Sequence, residues 1–412
     1  MIVCAVLILV SIATPFLNIF FRKLQLSDEQ MPSEHGTESH STDEDSEESA
    51  TTSATDEKRF HYPSVSIVLF AHDNARDLEQ HLPAILEQDY PAGFEVIVVQ
   101  GKSEDDTEDV LKKLKNEYMN LYTTFVPDSA RYMSRPKLAI TLGVKAAHNE
   151  WMLLTEPNYH PASDQWLLTM ARNCHDDKDI VIGYSNFNDE ATHYQRFERL
   201  LCQRYILREA QRRTAYRSEP GNLMFRKSTF INGRSFDGNL KYIRGEYDFI
   251  VNKFATRSNT TTETHPLSWM IEDAPTKKQW NNHHLFYMET RQHLKRSFAH
   301  ALPFKVDQIA LHLNILLIIS ALIFSITSLV LDADPSSFFV HPSFIITASA
   351  IFALVISTVL RTVIARKAMK AFGEDIPASK VVPFEWSIVW RLIYYKLKHH
   401  MADKYDFICH KV

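Results

Sequence analysis

From residue 64 to residue 184, short β-rich runs alternate with segments whose apolar residues recur at helical spacing. The first run is SVSIVLF at 64–70, followed by Leu78, Leu82, Ile85 and Leu86 on one helical face, with Asp73 or Asn74 placed to cap that helix. EVIVV at 95–99 is a second strand signal, and Val110, Leu111 and Leu114 mark the helix after it. Strand signals return at 121–126, 151–155 and 179–184, with helical segments at 137–148 and 163–173 between them. Alternation of this length predicts an α/β fold, a doubly wound and mostly parallel sheet. Such sheets bind ligands beyond the carboxyl ends of their strands, here near 71–74, 100–103 and 156–159. The chain lacks GxGxxG after its first strand and lacks GxxxxGK[ST] and GxSxG, which argues against dinucleotide, P-loop and hydrolase chemistry.

Three long apolar runs frame this region. Residues 2–21 carry no charge and precede Arg22 and Lys23. Residues 309–331 and 343–360 form two further runs, each long enough to cross about 30 Å of hydrocarbon as a helix. For the first run a cleaved signal peptide is the alternative. That reading wants a positive start and a small-residue cleavage site, and neither is present, so an uncleaved anchor is expected. The loop 332–342 holds no Lys or Arg, whereas Lys295, Arg296 and Lys305 precede the pair and Arg361, Arg366, Lys367 and Lys370 follow it. The positive-inside rule then puts the large domain and the C-terminus in the cytoplasm, beneath a multi-pass inner membrane protein. Buried core helices are the competing reading of the two later runs. The tail 381–398 mixes Trp386, Trp390, Tyr394, Tyr395 and Leu397 with Arg391, Lys396 and Lys398, as expected of an amphipathic helix in the membrane interface or packed on the main domain.

Charge is distributed as unevenly as hydrophobicity. The 412 residues carry a net charge of −5, but residues 27–57 contribute eleven acids and no Lys or Arg, leaving the rest of the chain basic by six. That stretch is Ser/Thr-rich, buries too little apolar surface to order itself, and is expected to be a disordered tether. The basic remainder suits anionic partners such as nucleotide phosphates or a lipid surface, and no nucleic-acid motif accompanies it. Cys4, Cys174, Cys202 and Cys409 stand far apart, which is expected of reduced thiols and not of a zinc or redox site. The expected organisation is an N-terminal transmembrane anchor at 1–22, a linker at 23–60, a cytoplasmic domain at 61–300, a transmembrane pair at 301–370 and an amphipathic tail at 371–412.

The motifs resemble a known family. SVSIVLFAHDN, LPAILEQDYPAGFEVIVV, SEDDTEDVLKKL, RPKLAITLGVKAAHNEWMLLTEPNYHPASDQWL, GNLMFRKSTF and RGEYDFIVNKFAT follow, in order, the pattern of family 2 glycosyltransferases. The resemblance covers about residues 64–295 and implies the GT-A, nucleotide-diphospho-sugar transferase fold, with one N-terminal and two C-terminal transmembrane helices. It implies a nucleotide-sugar donor, a divalent metal (Mg or Mn), and a lipid-linked or saccharide acceptor.

The chemistry asks for acids. When a sugar leaves a nucleotide diphosphate, carboxylate-held metal neutralises the growing negative charge. The family's D-x-D-like motif falls on Glu156-Pro157-Asn158, making Glu156 and Asn158 the metal candidates. The acceptor hydroxyl needs a general base. The family's G-E-D-D-like cluster reads Gly245-Glu246-Tyr247-Asp248 here, so Asp248, or failing that Glu246, is the catalytic candidate. A plain acidic helix start is the bland reading of both. His72 and Asp73 match the first nucleotide-contacting loop, Ser103 the second, Lys137 lies in RPKLAITL, and Arg291 offers charge to a diphosphate. Gln100-Gly101-Lys102-Ser103 lacks the usual Asp, and Glu289-Thr290-Arg291-Gln292-His293 departs from Q-x-x-R-W. With Asn158 and Tyr247, these departures leave two functions open: an inverting transferase, or a non-catalytic relative serving as a scaffold or binding subunit. His283-His284 and His399-His400 are expected to diverge and not to form metal sites. A transporter or channel has too few spans and no charged intramembrane pair.

Overall fold

A computed structural model of the protein describes residues 2–27, 61–127, 133–331 and 342–409. Most of the tether expectation (28–60) and the interhelical loop (332–341) lie outside the described residues. The chain begins with α1 (Ile2–Ala13) and two 3-10 turns. The α/β region then runs β1 (Val65–Ala71), α2 (Ala75–Leu86), β2 (Phe94–Gln100), α3 (Thr107–Glu117), β3 (Leu121–Phe125), α4 (Arg135–Ala146) and β4 (Trp151–Leu154). It continues through β5 (Tyr159–Pro161), α5 (Trp166–Ala171), β6 (Ile180–Gly183), β7 (Ser185–Phe187) and the long α6 (His193–Arg212). After these come β8 (Leu223–Arg226), α7 (Lys227–Asn232), α8 (Glu246–Phe254), β9 (Thr260–Glu263), β10 (Met270–Glu272) and α9 (Lys277–Thr290). Three long helices follow: α10 (Phe298–Leu331), α11 (Pro342–Lys370) and α12 (Ala378–Met401).

The main sheet has the order β3-β2-β1-β4-β8-β6-β9, parallel except that β8 runs against β4 and β6. A small second sheet, β5-β10-β7, lies beyond the end of β4. β1 and β2 are buried almost throughout, as a strand covered on both faces must be. Their period of two divides the core. Ile67, Leu69, Val96 and Val98 pack with Leu78, Leu82, Leu111 and Leu114 of α2 and α3. Val68, Ile97 and Val99 pack with Ala139, Ile140 and Val144 of α4. Gly143 lets α4 approach the sheet, since a Cβ there would lie 2.5 Å from Val68 Cγ1.

The five strand expectations match β1, β2, β3, β4 and β6 to within a residue or two. The helix expected at 163–173 is shorter, starting at Trp166, and Ser163 instead accepts the Gln165 N–H at 3.0 Å before it. The apolar run 2–21 is helical only to Ala13, because Pro15 has no N–H to continue the ladder, and 3-10 turns take over. Two helices, α10 and α11, are long and apolar enough to cross a membrane, and only 22% of each apolar window is buried. α1 packs against both of them, with Leu7 meeting Ile318, Ala350 and Ala353.

Arg361, counted from sequence among the cations flanking the second span, is 1% exposed and sits between Asp307 (3.1 Å) and Glu385 (3.0 Å). The carboxylates come from α10 and α12, which lie too far away in sequence for a local pattern to join them. α12 forms as expected and packs against α6, α9 and α11, leaving Trp390, Tyr394 and Leu397 exposed on its other side. The four cysteines are free.

Candidate active site

A cavity of about 750 Å³ opens at the carboxyl ends of β1 and β4. Glu156 and Asn158 enter it from the turn after β4, and His72 from the turn after β1. Glu246, Tyr247 and Asp248 enter from the first turn of α8. Gly245 caps that helix at φ +98, a conformation suited to glycine. Five of the nine sequence candidates therefore share one cavity: His72, Glu156, Asn158, Glu246 and Asp248.

The other four stand outside its lining. Asp73 accepts the Glu104 N–H at 2.7 Å and donates its own N–H to Ser103 Oγ at 3.1 Å, so this pair ties two strand-end loops together. Lys137 is fully buried, and its Nζ donates to the carbonyls of Tyr242 and, at 2.8 Å, Arg244. It fixes the loop that leads into α8, and burial lowers its pKa to about 8. Arg291 lies near the Tyr287 ring (5.8 Å) and Met288 Sδ (3.7 Å).

Polar residues that the sequence did not single out hold the cavity wall. Glu272 of β10 accepts from Tyr159 Oη at 2.6 Å, Arg199 Nη2 at 2.7 Å and Asn158 Nδ2 at 3.3 Å. Arg217 pairs with Glu219 through Nη2 and with Asp248 through Nε at 3.2 Å, and its guanidinium lies 4.2 Å from the centre of the Tyr287 ring. Burial alone would raise the Glu219 carboxyl, but Arg217 and Arg199 hold it down to about 2. Burial pushes Asp248 up to about 6 against the pull of Arg217. Burial likewise raises Glu156 to about 7, with Arg244 opposing and Glu246 reinforcing. The signal for these residues is indirect: RSEP at 217–220 immediately precedes GNLMF, and α6 carries Arg196, Arg199, Arg204, Arg208 and Arg212.

The donor chemistry suits a hard divalent cation. Among the described residues no hydrogen bond or ion pair ties up the Glu156 carboxylate, and Glu246 keeps one buried oxygen unpartnered. A second group with metal-binding atoms is His81, His160 and Asp273, all within 4.8 Å, although His81 Nε2 already bonds Asp273 at 2.8 Å. His283 and His284 diverge as expected, toward Glu219 (3.8 Å) and Glu198 (3.6 Å).

Residues 66–233 match the model of glycosyl transferase family 2. A mannosyltransferase from Pyrobaculum calidifontis, solved with GDP-Man and Mn2+, is similar over 98% of both chains at 14% identity and a TM-score of 0.49. TarS 1-349 of S. aureus in complex with UDP-GlcNAc is similar over 80% of this chain and 92% of its own, at 12% identity and a TM-score of 0.40. No curated protein sequence matches the chain. Residues 66–233, within the α/β region, are therefore similar to a glycosyl transferase family 2 domain.

Proposed function

We propose that the chain transfers a sugar, with inversion, from a nucleotide-diphosphate donor to a lipid-linked or membrane-proximal acceptor at the cytoplasmic face. One observation carries this reading: Glu156 and Asp248, ninety-two positions apart, line the same cavity at the strand ends. The first-strand turn with His72 and Asn74 provides room for the nucleotide. Glu156 and the amide oxygen of Asn158 would hold a divalent cation, which supplies positive charge to the departing diphosphate. Asp248 takes the proton of the acceptor hydroxyl as its oxygen attacks the anomeric carbon and the bond to the diphosphate breaks. A carboxyl raised to about 6 is a better base near neutrality than an ordinary aspartate. Arg217 keeps Asp248 oriented.

The exposed apolar faces of α10 and α11, with Leu316, Ile323, Phe352 and Val355 on the surface, support their placement in a bilayer as part of a multi-pass inner membrane protein. The acceptor would then reach the cavity from that surface.

Calorimetric titration of UDP and GDP into the full chain in detergent micelles, with and without Mn²⁺, tests the reading. Metal-dependent binding that disappears in Glu156→Ala is the expected result. Silence toward every nucleoside diphosphate, together with no turnover in a nucleotide-sugar screen, would leave the scaffold function instead.

A further inference from the structure

A second cavity, about 670 Å³, lies on the other end of α6 from the candidate active site. Arg22, Arg208, Arg212, Arg213 and Arg257 line it, together with Gln211. These arginines come from the segment after α1, the last turn of α6 and the loop before β9. Cations at a helix C-terminus are favourable on their own, which accounts for Arg212 and Arg213. It does not account for Arg22 and Arg257, which other elements bring to the same place.

Countercharge is scarce among the described residues. Glu209 meets Arg208 Nη1 at 2.6 Å and Arg213 Nε at 3.3 Å. Arg212 and Arg257 are exposed and make no ion pair among the described residues. Arg208 is buried, and its Nε, like that of Arg22, has no hydrogen-bond partner among the described residues. Among the described residues, Glu209 is the carboxylate that pairs with this group of five guanidiniums, and Arg22 also acts on the Asp307 carboxyl. Burial and the neighbouring Arg212 and Arg22 lower the pKa of Arg208, with Glu209 opposing. Guanidinium forks left unpaired in this way match the oxygens of a phosphate.

The position of the cavity indicates where that phosphate comes from. Pro303, near the start of α10, forms part of the wall, and α10 continues directly into its apolar window. Arg22 follows the apolar N-terminal segment. Both features place the cavity at the level where lipid headgroups meet water, on the side the positive-inside rule assigns to the cytoplasm.

We propose that this arginine cavity binds the phosphate headgroup of an anionic membrane lipid, separately from the nucleotide-sugar cavity. The inference rests on the reading that α10 enters a bilayer, and it is independent of any glycosyl transfer. Its test uses the full chain in neutral detergent, with native mass spectrometry to count bound dioleoyl phosphatidic acid against dioleoyl phosphatidylcholine. Retention of phosphatidic acid at least tenfold above phosphatidylcholine is expected, falling at least tenfold in R212Q/R257Q, whose exposed positions leave folding intact. Equal retention by the double variant overturns the proposal. So does displacement of the lipid by an equal concentration of inorganic pyrophosphate, which would assign the cavity to soluble phosphates. Alkaline carbonate extraction of wild type from membranes separates the premises: release would remove the bilayer reading and the proposal with it. A chain that stays in the membrane but retains no phosphatidic acid would overturn the lipid site alone.

Discussion

Arg217 Nε lies 3.2 Å from Asp248 Oδ1, and the same guanidinium holds Glu219 through Nη2. The pair sets how readily Asp248 ionises. Burial raises its carboxyl to about 6, and Arg217 is the main force limiting that rise. Arg217→Gln removes the cation, so the pKa rises further. Because the protonated acid cannot act as a base, the acidic limb of the kcat/KM profile moves to higher pH. A shift of about one unit corresponds to a loss of roughly 1.4 kcal/mol of favourable interaction. Arg217→Lys should restore part of it. A uniform loss of rate with an unmoved limb would show that Arg217 serves structure alone.

Asp248→Asn should lower transfer by roughly 10²–10⁴-fold, the usual span for a general base. Binding of the nucleoside diphosphate should stay within a factor of about three, a difference of under roughly 1 kcal/mol. In wild type the activity falls as pH drops through about 6, where the buried carboxyl takes up its proton. Glu246→Gln provides the comparison. If it abolishes turnover and Asp248→Asn does not, the base is Glu246.

Strands β1, β2 and β4 were legible because each is a compact apolar run set off by turn and helix signals. β8 and β9 were not. LMFR at 223–226 is four residues long and TTTE at 260–263 is polar, so neither shows a period. β8 is also the strand of the main sheet that runs antiparallel to its neighbours, a reversal no local pattern announces. α6 escaped for another reason: its buried side include Arg199, Gln203, Arg204, Arg208 and Glu209, which read as surface residues until their partners are known. The acids of the site were found through motif order, whereas Arg199 and Arg217 came from segments between motifs and Arg244 stood in a motif segment without being singled out. Lys137 shows the converse. Its position within a family segment suggested donor contact, whereas its ammonium holds the carbonyls of Tyr242 and Arg244 behind the cavity.

Gly221→Ala should damage the cavity without touching a charged group. Gly221 has φ +94, and a Cβ there would lie 2.3 Å from the Tyr159 ring, whose hydroxyl bonds Glu272. The backbone conformation alone costs an alanine about 1–2 kcal/mol, and overpacking adds roughly 1–3 kcal/mol. Thermal unfolding should fall accordingly, and KM for the donor should rise as Tyr159 is displaced. An unchanged melting temperature would show that the turn relaxes freely.

Arg361 joins elements that are far apart in sequence. Its guanidinium reaches Asp307 of α10 (3.1 Å), Glu385 of α12 (3.0 Å) and the Thr14 carbonyl (3.4 Å), while Asn18 Nδ2 bonds Glu385 at 2.5 Å. Arg361→Met leaves two buried carboxylates without their cation, a loss of roughly 3–5 kcal/mol when one partner of a buried ion cluster is removed. The consequence should be local first: α12 loosens from α11, and limited proteolysis in micelles cuts within 371–377, which wild type resists. Replacing all three charges, as Arg361→Met with Asp307→Leu and Glu385→Leu, should recover much of the protection, because no buried charge is then left alone. Wild-type protection in Arg361→Met would mean that apolar packing alone holds α12 in place.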